Sequence, residues 1–540
     1  MHLTTRKLVV SKSLSYNDGN KGIWLSKRVW KGKEREEMGI AVLILLAGLE
    51  IGFCVWTIQK KREKKAWAKD RFWVSLMQWG VTSLLLLLPV GNKGLRFTGC
   101  FVILSIRLLI EFIRFLFVHF QKTKDVSSED QNDASEKRSA KKQVSKGSRI
   151  FATLLSCLLI AFSLFPAFVF TGYEGLDATG EYEVGMVSAI LTDESRLETF
   201  ENDGSHREVP IYVYYPERRK DERGKKSDAS LPEGDFPLIL FSHGAFGYYQ
   251  SNSSTYLELA SHGYIVISMD HPYHSFFTKD TTGKSVIVDM NFIQSAMYLG
   301  NAEDGEVPEE EIFETTREWM NLRVADAFFV LDEVERQVGS CKGGSLERGA
   351  LAGEGGIAAD HLGEAWYVKK NADAQKLLQV LSKVDLDKIG MMGHSLGGAT
   401  SVTIGRTRGD VKAVIDLDGT MLGEELAYDN GAYQYYEEPY PVPLLAINKE
   451  SHQESIEKYG TLYVNGCVLA NAKDASYTYF KGSEHMNFTD LPLFSPFLAS
   501  KLGMGSIDAK ECIKTMNGIV LQFFDHYLKG QGEFRVSEYY

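Results

Sequence analysis

The sequence has six cysteines in 540 residues, and none stands in a Cys-x-x-Cys pair. Cys54, Cys100 and Cys157 lie in apolar stretches, while Cys341, Cys467 and Cys512 are scattered. That spacing implies neither a disulfide framework nor a metal site, and no cofactor motif is present. Acidic residues are scarce at one end of the chain and basic ones at the other. Residues 1–171 carry 28 Lys and Arg against 13 Asp and Glu; residues 172–540 carry 32 against 58. A domain so short of positive charge repels phosphates, which argues against a nucleic-acid partner. Residues 121–149 almost lack apolar side chains and read as a solvated loop.

What the N-terminal third does have is long apolar runs. Four of them, at 39–58, 72–90, 97–120 and 150–170, are long enough to span a bilayer, so a lipid bilayer is the expected partner. Seven Lys and Arg lie between the first and second runs (Lys60 to Arg71), and eight between the third and fourth (Gln121 to Arg149). If both basic loops are cytoplasmic, this is a multi-pass cell-membrane protein with its C-terminal domain extracellular. Residues 1–38 carry nine Lys and Arg and oppose that orientation. Taking Met38 as the true start, with 1–37 an over-extended gene reading, removes the conflict. Arg107, Glu111 and Arg114 fall on one helical face inside the third run, and Glu50 in the first run is a candidate partner. The expected organisation is therefore a mis-read extension over 1–38, an anchor over 39–171 and a soluble domain over 172–540.

The soluble domain alternates strands and helices, which predicts an α/β fold with a mostly parallel sheet. Strands are expected at Arg207–Pro216, Phe236–Ser242, Tyr264–Asp270, Val411–Asp418, Val442–Asn448 and Ser476–Phe480. Helices are expected near Thr255–Ser261, Thr316–Val338, Ala374–Val384 and Ile513–Leu528. The helix at 316–338 has Leu322, Ala325, Phe329 and Val330 as its apolar positions. An acidic loop at 301–314 and a Gly-rich insertion at 339–373 interrupt the pattern.

Its chemistry centres on Gly393-His394-Ser395-Leu396-Gly397, preceded by apolar Ile389–Met392 and followed by a helix from Ala399. Gly-x-Ser-x-Gly between a strand and a helix is a nucleophile elbow, in which small residues allow the tight turn that exposes the serine. A serine hydroxyl needs a base, and the base an orienting carboxylate. His485, after the last strand, is the favoured base; His452 is a competitor, and His526 in the final helix reads as structural. Asp418, Asp416 and Glu450 are the candidate acids, with Asp418 favoured for its strand-end position. The loop after Phe236–Ser242 contains His243-Gly244-Ala245, and the backbone N–H groups of Ala245 and Leu396 are the expected oxyanion donors. His243 reads as structural. Asp270-His271-Pro272-Tyr273-His274 reads as a loop lining the mouth of the site rather than a metal site.

Together these residues resemble the plasma and intracellular type II platelet-activating factor acetylhydrolases. The resemblance runs over about residues 205–530. It rests on Phe241–Gly244, Ala260–Val266, Asp270-His271, Arg323–Ala327 with Val330–Asp332, Gly393–Gly398, Leu417–Gly419 and Gly482–Phe488. It implies an α/β-hydrolase with the triad Ser395, Asp418 and His485, and oxyanion donors Ala245 and Leu396. It also implies calcium-independent hydrolysis of short or oxidised acyl esters, including phospholipid sn-2 acetyl groups. The membrane runs and the two insertions lie outside the pattern. Rival readings are a general carboxylesterase, a thioesterase or peptidase on the same triad, and a non-catalytic membrane sensor with a hydrolase fold.

Overall fold

The computed structural model describes residues 44–59, 63–87, 95–120, 144–169, 175–218, 231–301, 305–343 and 362–540. The chain divides into two units, Met1–Tyr173 and Glu174–Tyr540.

In the first unit the apolar runs form helices α1 (Ile44–Gln59), α2 (Lys64–Leu87), α3 (Leu95–Phe120) and α4 (Lys146–Val169). The expectation of four spans is not supported. Among the described residues one stretch, Lys146–Phe165, is long and apolar enough to cross a membrane, and Ile44–Gln59 is apolar but short. The reason is charge and polarity inside the other runs. Arg107, Glu111 and Arg114 interrupt α3, and α2 opens with a charged turn that extends to Arg71. Arg71, Arg107 and Glu111 are buried and paired, together with Glu50, while Arg114 is exposed. Glu50 accepts from Arg71 at 2.5 Å and from Arg107 at 2.7 Å, and Arg71 also reaches Glu111 at 3.1 Å. Residues 1–38 and the loop at 121–143 lie outside the described residues.

The second unit is built on a nine-stranded sheet. Its strands are β1 (Glu183–Leu197), β2 (His206–Glu217), β3 (Phe236–Ser242), β4 (Ile265–Met269), β5 (Trp366–Tyr367), β6 (Val384–His394), β7 (Val411–Leu417), β8 (Leu444–Lys449) and β9 (Ala475–Phe480), in the order β9-β8-β7-β6-β3-β4-β2-β1-β5. From β9 to β4 every pairing is parallel; from β4 through β2 and β1 to β5 every pairing is antiparallel. The fold is thus α/β with a mixed sheet. Strand β3 shows how the sequence specifies it. All seven of its residues are buried, and successive side chains must face opposite sides of the sheet. Leu238 and Leu240 join one core, with Val330 and Val334 of helix α7 (Glu309–Lys342) and Leu377 of α8 (Asn371–Leu381). Ile239 and Phe241 join the other, with Tyr256 of α5 (Ser253–Ser261) and Phe523 and Phe524 of α12 (Ala509–Lys529). Each such side chain contributes about 1.5–3 kcal/mol by leaving water, so continuous apolarity here marks a strand covered on both faces.

Three expectations change. The loop expected at 301–314 is partly helix, because α7 begins at Glu309 with three glutamates in its first turn, where the helix dipole favours them. The insertion at 339–373 contains the end of α7, β5 and the start of α8; residues 344–361 lie outside the described residues. The core-facing side of α7 is also rotated from the expected one. Leu322, Ala325 and Phe329 are half-buried, while Met320, Arg323, Asp326, Ala327 and Val330 are buried. An arginine and an aspartate occupy core positions because they pair there, as described below.

Candidate active site

The elbow is strained at Ser395. Ser395 has φ 55° and ψ −125°, a region that costs a non-glycine residue about 1–3 kcal/mol. It sits between β6 and helix α9 (Leu396–Thr407), and its N–H donates to Leu417 O at 2.9 Å. The two flanking glycines are required by close approach. A Cβ on Gly393 would lie 2.6 Å from Ser242 O and collide with the Gly397 backbone, and one on Gly397 would collide with the Ser242 backbone. The helix therefore starts hard against the end of β3.

That contact brings the β3 loop to the serine. A Cβ on Gly244 would lie 3.1 Å from Ser395 Cβ. Ala245 follows directly, and among the described residues neither the Ala245 nor the Leu396 N–H has a protein acceptor. The loop is held from beneath by Arg323, fully buried, which donates to His243 O at 2.5 Å and Gly244 O at 3.3 Å and whose Nε lies 3.2 Å from His274 Nδ1. Burial lowers the Arg323 pKa to about 9, against the opposing pull of Asp326. Asp326 in turn accepts from Arg207 at 2.8 Å and lies 2.9 Å from His271 Nδ1, whose Nε2 is 2.9 Å from Ser242 Oγ. The role of Arg323 and Asp326 is not apparent from the sequence alone, although both lie at core positions of α7, where an uncompensated charge would be costly.

Asp418 directly follows β7 and also has a positive φ, 53°. Its Oδ2 lies 2.6 Å from His485 Nδ1. Its Oδ1 accepts from Lys449 N at 2.9 Å and lies 2.9 Å from His452 Nδ1. Burial pushes the Asp418 carboxyl up, but the hydrogen bonds from His452 and His485 outweigh it and hold the group far below the usual carboxylate range. His452 Nε2 is 2.8 Å from the Tyr463 hydroxyl. So His452 does not compete with His485; it holds the opposite oxygen of the same carboxylate. His485 opens a one-turn helix with a capping box between Glu484 and Asn487, and its side chain remains about one-third exposed.

The other candidate acids lie elsewhere. Glu450 accepts from Gly482 N at 2.8 Å and so braces the turn before His485. Asp416 accepts from Gly419 N at 3.0 Å, and burial pushes its pKa well above the usual carboxylate range. His526 contacts Gly532 O at 2.9 Å on the surface. His243, fully buried, bonds Gly244 O and Ser275 Oγ. The 270–274 stretch does not line the mouth: Asp270, His271 and His274 are buried, because each braces a neighbour. Asp270 accepts from Tyr249 N at 2.7 Å and Thr278 Oγ1 at 2.9 Å, and His274 stacks on Phe292 at 3.8 Å. Apolar surface next to the serine comes from Phe292, Met320, Leu396 and Ala399, with Ala245, Phe246 and Trp319 packed on them.

Ser395 Oγ makes no hydrogen bond to His485 among the described residues; the rings of His394 and His485 lie 4.5 Å apart, which keeps the base beside the elbow. Such contacts tighten when substrate arrives.

Residues 179–335 and 359–538 match the family described as "Platelet-activating factor acetylhydrolase, isoform II". The chain belongs to this family. It is 26% identical over 316 residues to platelet-activating factor acetylhydrolase of Bos taurus, covering 57% of this chain and 61% of that one. It is 26% identical over 321 residues to the protein of the same name from Gallus gallus, covering 57% and 66%. The chain thus spans less than two-thirds of the length of these relatives. A ferulic acid esterase from Streptomyces cinnamoneus is similar in structure, at 20% identity and a TM-score of 0.44, over 68% of this chain and 97% of that one.

Proposed function

We propose that the Glu174–Tyr540 unit hydrolyses carboxylic esters through Ser395, His485 and Asp418, with Ala245 and Leu396 as oxyanion donors. The observation that carries this reading is the 2.6 Å contact between Asp418 Oδ2 and His485 Nδ1, beside a serine held in the strained elbow. Ser395 Oγ adds to the ester carbonyl carbon while its proton passes to His485 Nε2. The oxygen that gains charge is received by the Ala245 and Leu396 N–H groups. Collapse breaks the bond to the alcohol, which leaves with the proton from His485. Water then repeats the sequence on the acyl-serine and releases the acid. Asp418 holds the imidazole with Nδ1 protonated, so that Nε2 faces the serine.

In this reading the substrates are short or oxidised acyl esters, with phospholipid sn-2 esters among them, a class supported by the resemblance to platelet-activating factor acetylhydrolases. The apolar wall of Phe292, Met320 and Leu396 suits an acyl chain. The Met1–Tyr173 unit is the membrane anchor in this reading, with Lys146–Phe165 as its best-supported span. Purified full-length chain should hydrolyse p-nitrophenyl acetate, and Ser395→Ala should abolish that turnover. Turnover retained by Ser395→Ala refutes the assignment. A series of esters of increasing acyl length then reads the pocket.

A further inference from the structure

The N-terminal unit holds a cavity of about 890 Å³ between α2, α3 and α4. Its wall divides by chemistry. One part is cationic, from Lys64, Arg71, Arg107 and Arg114; the rest is apolar, including Ile103, Ile110, Phe117, Phe151 and Leu159. The carboxylates among these cations are Glu50 and Glu111, and both are already engaged. Glu50 is shared by Arg71 and Arg107, and Glu111 by Arg71 and Arg114. Four cations therefore face two anions. Lys64 has no ion pair among the described residues, and Arg107, 7% exposed, leaves Nε without a hydrogen-bond partner.

The position of the surplus matters as much as its sign. Lys64 and Arg71 lie in the first third of α2, Arg114 lies near the end of α3, and Ser145 and Ser148 at the start of α4 line the same cavity. Lys64, Arg71 and Arg114 therefore collect at one end of the helices, while Arg107, bonded to Gln78, lies deeper. From there α3 carries the apolar wall back from Arg114 to Ile103, about 16 Å at 1.5 Å per residue. Excess positive charge beside a long apolar groove suits a molecule with an anionic head and a hydrocarbon tail. Arginine and lysine at the cytoplasmic ends of membrane helices favour phosphate head groups for the same reason.

We infer that this cavity binds an anionic glycerophospholipid, with its phosphate between Lys64 and Arg114 and an acyl chain along Ile103, Ile110 and Leu159. The inference rests on reading Met1–Tyr173 as membrane-embedded, and it is independent of the chemistry at Ser395. Two surplus charges match the head group, and the paired Glu50 and Glu111 keep the arginines extended when the site is empty.

The test uses purified full-length chain in neutral detergent and native mass spectrometry. Dioleoyl phosphatidylglycerol competes against dioleoyl phosphatidylcholine, with inorganic phosphate in a third arm. One phosphatidylglycerol should be retained per chain, about tenfold in preference to phosphatidylcholine, and phosphate should not displace it. The double variant Lys64→Gln, Arg114→Gln should lose that preference. Lys65→Gln with Lys69→Gln removes the same charge from exposed positions outside the cavity and should keep it. Equal retention of the two lipids, equal loss in both double variants, or displacement by phosphate overturns the site. Circular dichroism reports whether the helices persist; if the double variant unfolds, Lys64→Gln alone, at an exposed position, carries the test. Release of the chain from membranes by alkaline carbonate, with lipid preference intact, would overturn the anchor and leave the site standing.

Discussion

The two units bury charge in different ways. In the Glu174–Tyr540 unit the charged chain Arg207–Asp326–His271 runs to Ser242 at the end of β3, and Arg323 ends on the backbone carbonyls of His243 and Gly244. In the N-terminal unit Glu50, Arg71, Arg107 and Glu111 end mostly on one another. A cluster that ends on backbone shapes a loop, here the one that presents Ala245 beside the serine. A cluster that ends on side chains ties helices together across 21 to 57 residues of sequence, and any surplus charge remains available to a ligand.

The largest expected effect separates chemistry from architecture. Asp418→Asn keeps the shape of the site but allows the wrong tautomer at His485, and kcat for p-nitrophenyl acetate should fall about 10⁴-fold. A fall of less than tenfold would contradict the role given to Asp418. Next comes the removal of each cluster's hub. Asp326→Ala leaves the buried Arg207 with Glu198 alone and removes the carboxylate beside His271, so the Glu174–Tyr540 unit should lose about 3–5 kcal/mol in denaturant melts, and turnover should fall with it. Glu50→Ala should destabilise the helices of the first unit by a similar amount while leaving turnover of a soluble ester unchanged. Equal effects of the two on turnover would erase the contrast between the clusters.

A smaller effect concerns Asp270, whose pKa burial pushes up to about 7, against the lowering hydrogen bonds from Thr278 and Tyr249. The neutral form is favoured in the folded state. Its stabilisation is therefore complete below about pH 4 and is lost as pH rises through about 7, by up to about 4 kcal/mol. Melting curves across that range should fall more steeply for the natural chain than for Asp270→Asn. Parallel curves would show that Asp270 does not titrate there. The smallest effect is at His452. Replacing it with Phe frees one oxygen of Asp418 and should lower kcat about tenfold while leaving KM unchanged, the cost of one charge-assisted hydrogen bond. A changed KM would instead point to a role in substrate contact.

Some of this was legible in the sequence for clear reasons. β3 and the Ile389–Met392 end of β6 are continuously apolar, and glycines at 393 and 397 are demanded by backbone contact, so pattern and structure coincide there. Asp418 and His485 each follow a parallel strand, and parallel strands deliver their C-terminal ends to one edge of the sheet. Other features depended on partners distant in sequence. β1 alternates only through Val187, Ala189, Leu191 and Asp193, with Ser188, Ile190 and Thr192 between, and its pairing with β2 is needed to make it a strand. Arg323 looks like a surface charge until His243 and Gly244 are brought to it. His452 reads as a rival base because sequence order alone does not say which oxygen of Asp418 it meets. Helix α6 (Met290–Asn301), which packs Phe292 into one cluster with Leu396 and Ala399, is not among the elements expected from the sequence.

The most direct test of the central claim is covalent labelling with a fluorophosphonate, followed by peptide mass spectrometry. The account predicts one adduct, on Ser395, that forms rapidly in the natural chain and far more slowly in Asp418→Asn and His485→Ala. Folded protein that takes no label, or takes it at another residue, would contradict it.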